Sequence, residues 1–149
     1  MAAERQLVLD ANILIRAVLG RRVRQIITTH AERASFFAPE VAYEDATTYL
    51  PNLLVKRHLD VAATTAALSF LESLRGTVHP VPQDAYEFLR AAALSRIESR
   101  DPDDWPILAT ALALDCPIWT EDQDFFGAGV PTWTTDRVEL YLNETDRSE

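Results

Sequence analysis

Cysteine is nearly missing from these 149 residues. Cys116 stands alone, and its neighbours Asp115 and Pro117 complete no metal-binding or redox spacing. No internal disulfide can form, so a reduced, cytosolic setting is the expectation, with Cys116 a small buried residue beside a strand. Long apolar runs are missing too. Leu7-Val8-Leu9 is the one run before Asp10, too short for a signal peptide, and no uncharged stretch has the length of a bilayer span. The chain is expected to be soluble and cytoplasmic, neither exported nor embedded in a membrane. Positive charge is scarce: 14 Lys+Arg stand against 23 Asp+Glu, for a formal net charge of -9. That balance argues against loose nucleic-acid binding over the whole surface, because phosphate affinity rests on lysine and arginine. A nucleic-acid ligand would have to be met locally, at Arg16 with Arg21-Arg22-Arg24 or at Lys56-Arg57-His58.

Apolar residues, by contrast, make up 48% of the chain, enough to bury one substantial core at a length that suits one domain. No repeat, low-complexity tract or linker divides it. A single domain over residues 1–143 is expected, with 144–149 as a frayed tail.

Short apolar runs alternate with helical patterns. Gln6-Leu7-Val8-Leu9 is apolar on both faces, as a central parallel strand is, and residues 11–19 then read as helix ending near Gly20. Residues 21–33 hold a second helix on Val23, Ile26 and Ile27. Ser35-Phe36-Phe37-Ala38 is the second strand, followed from Pro39 by a helix that Pro51 should kink or end. Asp60 caps the next helix, closed by Gly76, and residues 78–81 form a third strand. A helix opening at Gln83-Asp84 would bury Phe88, Leu89, Ala92, Ala93 and Ile97. Residues 103–114 are helical, 117–120 and 130–134 are strands holding Trp119 and Trp133 in the core, and a last helix passes through Val138 and Leu142. This alternation predicts an α/β fold: parallel β-α units whose sheet is covered on both faces.

The acidic residues are unevenly placed. Asp101-Pro102-Asp103-Asp104 crowds three carboxylates at the start of an Ala/Leu-rich helix, and Thr120-Glu121-Asp122-Gln123-Asp124 follows the fourth strand. Helix starts favour Asp, Pro and negative charge, which explains part of the crowding. It does not explain why Asp10 ends the first strand, Asp122 follows the fourth by two residues, Glu44 lies a turn into the helix after the second, and Asp104 opens its own helix. In an open parallel sheet all four positions belong near the carboxyl edge of the strands, where ligand sites form. Like charges 4 Å apart cost roughly 4 kcal/mol per pair at an effective dielectric near 20, against a folding margin of about 5–15 kcal/mol. Protons or cations must relieve that repulsion. Oxygen-only ligation suits Mg²⁺ or Mn²⁺, and neither the scattered His30, His58 and His79 nor Cys116 is placed to recruit zinc. One or two such ions lower the pKa of a bound water, orient it on phosphorus and neutralise the leaving oxygen, so phosphodiester hydrolysis is the reaction this equipment fits. No serine-histidine-acid set is present to suggest another.

Taken together and in this order, the motifs resemble the PIN-domain family of metal-dependent ribonucleases, which includes the toxins of VapBC-type toxin-antitoxin pairs. They are Leu7-Val8-Leu9-Asp10-Ala11-Asn12, Ala38-Pro39-Glu40-Val41-Ala42-Tyr43-Glu44, Asp104-Trp105-x-Ile107-x-Ala109-x-Ala111 and Trp119-Thr120-x-Asp122-x-Asp124-Phe125. The resemblance implies a three-layer α/β/α sandwich around a parallel sheet, often dimeric. It implies Asp10, Glu44, Asp104 and Asp122 as a catalytic quartet that holds Mg²⁺ (or Mn²⁺), Asp124 as an auxiliary acid, and Asn12 and Thr120 as supporting polar groups. It also implies RNA as substrate, guided by rim arginines such as Arg16, and an antitoxin partner whose C-terminal segment blocks the cleft, an arginine being suited to that.

Several positions keep alternatives. Asp101 and Asp103 compete with Asp104, although Ile107, Leu108 and Ala111 share the side of Asp104. Glu40 competes with Glu44, and reads equally as a helix-dipole partner. Asn12 either caps the first helix or orients Asp10, and Asp124 either joins the site or caps the turn before Phe125. Trp105-Pro106 replaces small residues and should make the wall of the site bulkier, with Trp105 in the core rather than stacking on a base. The competing function is a PIN-like module that binds protein or RNA without cutting it. Phosphoryl transfer through an aspartyl intermediate fits poorly: Asp10-Ala11-Asn12 lacks the second aspartate of the haloacid-dehalogenase pattern, and the only lysine, Lys56, is misplaced for a receiver switch.

Overall fold

Five parallel strands run through the centre of the computed structural model, which describes residues 4–144. They are β1 (Arg5–Leu9), β2 (Ala34–Pro39), β3 (Val78–Val81), β4 (Ile118–Trp119) and β5 (Thr132–Trp133), in the order β3-β2-β1-β4-β5. Leu7, Val8 and Leu9 are all buried, so β1 is central for the reason its two-faced apolarity predicts. Leu7 sits opposite Phe36 of β2, and Leu9 opposite Trp119 of β4. The chain moves outward from β1 to β3 and then returns to the other side of β1. The strand order therefore reverses between β1 and β4, and the crevice at their carboxyl ends is where an open sheet binds ligands.

Seven α-helices among the described residues cover the sheet, giving the expected three-layer α/β/α sandwich. α1 (Ala11–Leu19) packs with α2 (Arg22–His30), α3 (Glu40–Lys56) and α4 (Val61–Ser73). α5 (Arg90–Ile97) packs on α6 (Trp105–Leu114), which lies against β1 and β2, and α7 (Val138–Leu142) ends the described chain. Residues Pro106 to Ala111 are buried on every side of α6, the behaviour of a helix with no polar face. α7 is tied to α2 through Glu139, which lies 2.9 Å from both the His30 ring and Arg22. The His30 hydrogen bond, with help from Arg22, holds the Glu139 carboxyl below its usual range. No helix among the described residues is long and apolar enough to cross a membrane.

Four local expectations change. α3 runs unbroken through Pro51, whose missing N–H is outweighed by burial of Leu50 and Leu54 on either side. The helix expected from Gln83 is two short 3₁₀ turns before α5, leaving Phe88 76% exposed and Ala92 on the surface, with Ala93 and Ile97 buried. β4 and β5 shrink to two residues each, although Val8 N to Pro117 O and Thr120 N to Trp133 O carry hydrogen bonding beyond them. Trp133 is only partly buried and stacks on Tyr141 with centroids 5.7 Å apart, whereas Trp119 is fully in the core. Cys116 is buried as expected, and burial pushes its thiol up to about 12, so it is inert. Of the tail expected to fray, all but Glu144 lies outside the described residues.

Candidate functional site

Asp10 ends β1 and caps α1: its Oδ1 accepts from the Ile13 backbone N–H at 3.0 Å. Its Oδ2 accepts from the Thr120 hydroxyl at 2.5 Å. The residue is 7% exposed, and burial raises its pKa to about 6 even though both hydrogen bonds oppose the shift. Thr120 leaves β4 fully buried and accepts, on the same oxygen, the Asp122 N–H at 2.9 Å. Asp122 in turn accepts the Asp124 N–H at 2.9 Å and caps a 3₁₀ turn anchored by buried Phe125. Thr120 thus joins the strand ends on either side of the switch point. Thr120→Val keeps the shape and removes both bonds, so it should destabilise the fold by about 1–3 kcal/mol, read from urea unfolding. A loss under about 0.5 kcal/mol would contradict this bridging role.

The third acidic segment arrives from the other side. A 3₁₀ turn, Pro102–Asp104, precedes α6 and is capped by Asp101, which accepts the Asp103 N–H at 3.1 Å. Asp104 Oδ2 is buried with no hydrogen-bond partner among the described residues. Burial first, then the charges of Asp101 and Asp122, a hydrogen bond between the carboxyls of Asp104 and Asp122, and the charge of Asp10 push its pKa up to about 8. Asp101, Asp104 and Asp124 each bring one carboxylate oxygen to within 4.8 Å of the others. Asp10, Asp104 and Asp122 line a single pocket of about 240 Å³, with Asp45, Asp101 and Asp103 around them.

Three members of the expected quartet therefore line one pocket, although the carboxylates close enough to share a cation are those of Asp101, Asp104 and Asp124, and the fourth member stands apart. Glu44 is exposed and does not line this pocket, but Asp45 does. Val41, Asp45 and Tyr49 all line it, at the i, i+4, i+8 spacing of one helical face, and that spacing is the sequence signal that points to Asp45. Burial raises the Asp45 pKa, and the charges of Glu44 and Asp103 add to it. Glu40 is engaged elsewhere, in an ion pair with Arg75 at 2.8 Å. Asn12 does not cap α1, since Asp10 does; it sits on the rim, lining both this pocket and a neighbouring one. Asp124 does not cap its turn, since Asp122 does. Trp105 packs edge-on against Tyr86, with centroids 5.6 Å apart, and Pro106 and Ile107 form the wall in its place. Glu121 accepts the Thr135 N–H at 2.7 Å and so braces the loop after β5. Arg16 lines the neighbouring pocket, about 620 Å³, together with Arg21, Arg22 and Arg57.

A hard divalent cation fits this donor set on the structure's own terms. The acids gathered here offer carboxylate oxygens, one of them buried without a hydrogen-bond partner among the described residues, and burial first, then the crowding of like charge, raises the pKa of Asp10 and Asp104.

Comparison with known proteins agrees with the fold. VapBC2 from Rickettsia felis, solved bound to a DNA fragment from its promoter, superposes with a TM-score of 0.68 at 11% identity, over 87% of this chain and 98% of that one. FitAcB from Neisseria gonorrhoeae gives 0.62 at 18% identity, and a toxin-antitoxin complex from Klebsiella pneumoniae 0.60 at 18%, each over 87% of this chain and 97% of the other. No curated protein matches in sequence. The family model described as PIN domain matches residues 8–143, nearly the whole chain, and with that match the chain belongs to the PIN-domain family.

Proposed function

We propose that this protein is a metal-dependent endoribonuclease that hydrolyses RNA phosphodiester bonds and serves as the toxin of a toxin-antitoxin pair. The observation that carries the reading is that Asp10, Asp104 and Asp122 line one pocket at the sheet's switch point, with Asp104 Oδ2 buried and without a hydrogen-bond partner among the described residues. Asp10, Asp104 and Asp122 would hold Mg²⁺ (or Mn²⁺), with Asp101 and Asp124 close enough to contribute a further oxygen. A cation held there neutralises phosphate charge and lowers the pKa of an attacking water.

The protein's own groups do the rest. Thr120 and the Ile13 N–H hold Asp10 with both oxygens engaged, fixing its carboxylate plane. Asp45, across the pocket on α3, is the fourth acid that can hold the cation or position a water, in the place the resemblance gave to Glu44. Arg16, Arg21 and Arg57, on the rim that shares Asn12 with the acidic pocket, would steer the phosphate backbone despite the net charge of -9. The toxin role, a small antitoxin partner and a homodimer are parts of the same proposal. The first two are supported by family membership and by neighbours solved as toxin-antitoxin complexes.

The purified full chain should cleave a single-stranded RNA in Mn²⁺ and stop when EDTA removes the ion. No Mn²⁺ binding and no cleavage would favour the docking-module reading, in which the acids meet a partner's basic groups, and Mn²⁺ binding without cleavage of any RNA in a mixed pool would end the nuclease proposal.

A further inference from the structure

The acids of this pocket come from separate pieces of chain that repel one another, so something must hold the pieces together. Asp101 and Asp104 ride on the turn before α6; Asp122 and Asp124 ride on the turn after β4. Two arginines bridge them from the side. Arg100, immediately before Asp101, points one guanidinium nitrogen, Nη1, at the carbonyls of Gln123 (3.3 Å), Asp124 (3.0 Å) and Phe126. Arg96, on the last turn of α5, donates to the Ala128 carbonyl at 3.0 Å. The approach of Arg96 depends on Gly129: a Cβ there would lie 2.2 Å from Arg96 Nη1, and the backbone φ of +91° suits glycine. Gln123 O also accepts the Phe126 N–H of its own turn at 3.0 Å, so the two N–H groups on Arg100 Nη1 matter most to the carbonyls of Asp124 and Phe126. The grip is on main chain, so it fixes where the turn sits without engaging the carboxylates of Asp122 and Asp124.

We propose that Arg100, assisted by Arg96, is a positioning residue that holds the Asp122–Asp124 turn against the Asp101–Asp104 turn at the separation a shared cation needs. The inference rests on the cation-binding reading above. Its direction sets it apart from simple electrostatics: removing a positive charge beside an acidic pocket should tighten a divalent cation by Coulomb's law, whereas losing the brace should weaken it.

The experiment is Mn²⁺ calorimetry on the full chain for wild type, Arg100→Gln and Arg100→Lys, with hydrogen exchange of residues 122–128 in EDTA. Arg100→Gln should bind Mn²⁺ about tenfold more weakly, as the loss of groups that orient metal ligands does, and exchange faster over 122–128. Arg100→Lys, a point charge without the fork, should recover only part of the affinity. Unchanged or tighter Mn²⁺ binding in Arg100→Gln would overturn the proposal. If wild type itself binds no Mn²⁺, the cation reading fails separately, and unchanged exchange in Arg100→Gln would still overturn the bracing role.

Discussion

Asp10→Asn and Asp122→Asn should each lower Mn²⁺-dependent RNA cleavage by roughly a thousandfold, the scale of the several kcal/mol that a cation contributes to a phosphoryl transition state. Asparagine keeps the size of the side chain and an oxygen for the Ile13 N–H or the Asp124 N–H, so the capping survives in both variants. The charge that holds the cation does not. The same assay decides between the two candidates on α3. Asp45 faces the pocket and Glu44 does not, so Asp45→Asn should cost at least about tenfold and Glu44→Gln less than about twofold. Cleavage of a fluorescent RNA under single-turnover conditions gives all four rates. Wild-type rates in both Asp10→Asn and Asp122→Asn would sink the catalytic assignment, and a large loss in Glu44→Gln alone would restore Glu44 to the site.

The second large effect is on stability. In metal-free protein, thermal stability should fall as pH rises from about 4 to 8. Asp10 and Asp104 have folded pKa values raised to about 6 and about 8, against about 3.9 for an unfolded aspartate. The folded state therefore holds protons that the unfolded state has released, so stability declines through that window, the reverse of a salt-bridged carboxylate. At about 1.4 kcal/mol per unit, discounted for solvent and for coupling between the acids, the combined loss is a few kcal/mol by pH 8. Asp104→Asn, a stand-in for the protonated acid, should melt higher than wild type at pH 8 and close to it at pH 4. Millimolar Mn²⁺ should raise the wild-type melting temperature at pH 8 and leave Asp104→Asn nearly unmoved. A flat profile between pH 4 and 8 without metal would mean that these carboxylates do not share one confined space.

The two effects have one origin. Carboxylates packed tightly enough to bind a hard cation are destabilising without it, and α6, buried around its whole circumference, cannot swing away to relieve them. The expected loss of stability without metal would be the counterpart of a site arranged before its ligand arrives.

Much of this was legible from the residues. The two-faced apolarity of Leu7-Val8-Leu9 marks the central strand, and the helix read over 11–19 has the bounds Ala11–Leu19 in the fold. Asp10, Asp104 and Asp122 could be placed at one edge because strand ends and helix starts in a parallel sheet have few other places to go. Asp60 caps its helix as the sequence signals, accepting the Ala63 N–H at 2.9 Å.

Other features depended on packing across long separations. Glu44 and Asp45 are adjacent acids about 100° apart around α3, and only the docking of α3 on α1 and β2 decides which one faces the pocket. Arg75, 35 residues away, takes the Glu40 carboxylate in an ion pair that local sequence does not signal. Phe88 is apolar yet exposed, because 3₁₀ turns replace the helix that would have turned it inward.

The linear order of residues determined which chemistry the chain can carry: oxygen donors, no spare thiol, and a parallel α/β scaffold whose strand edges collect acids. Tertiary structure decided which oxygens face one another and which arginines brace them. Local preferences act over a few residues, whereas a side chain's direction at a site is fixed by the elements packed against its own, and those are dozens of positions away in the chain.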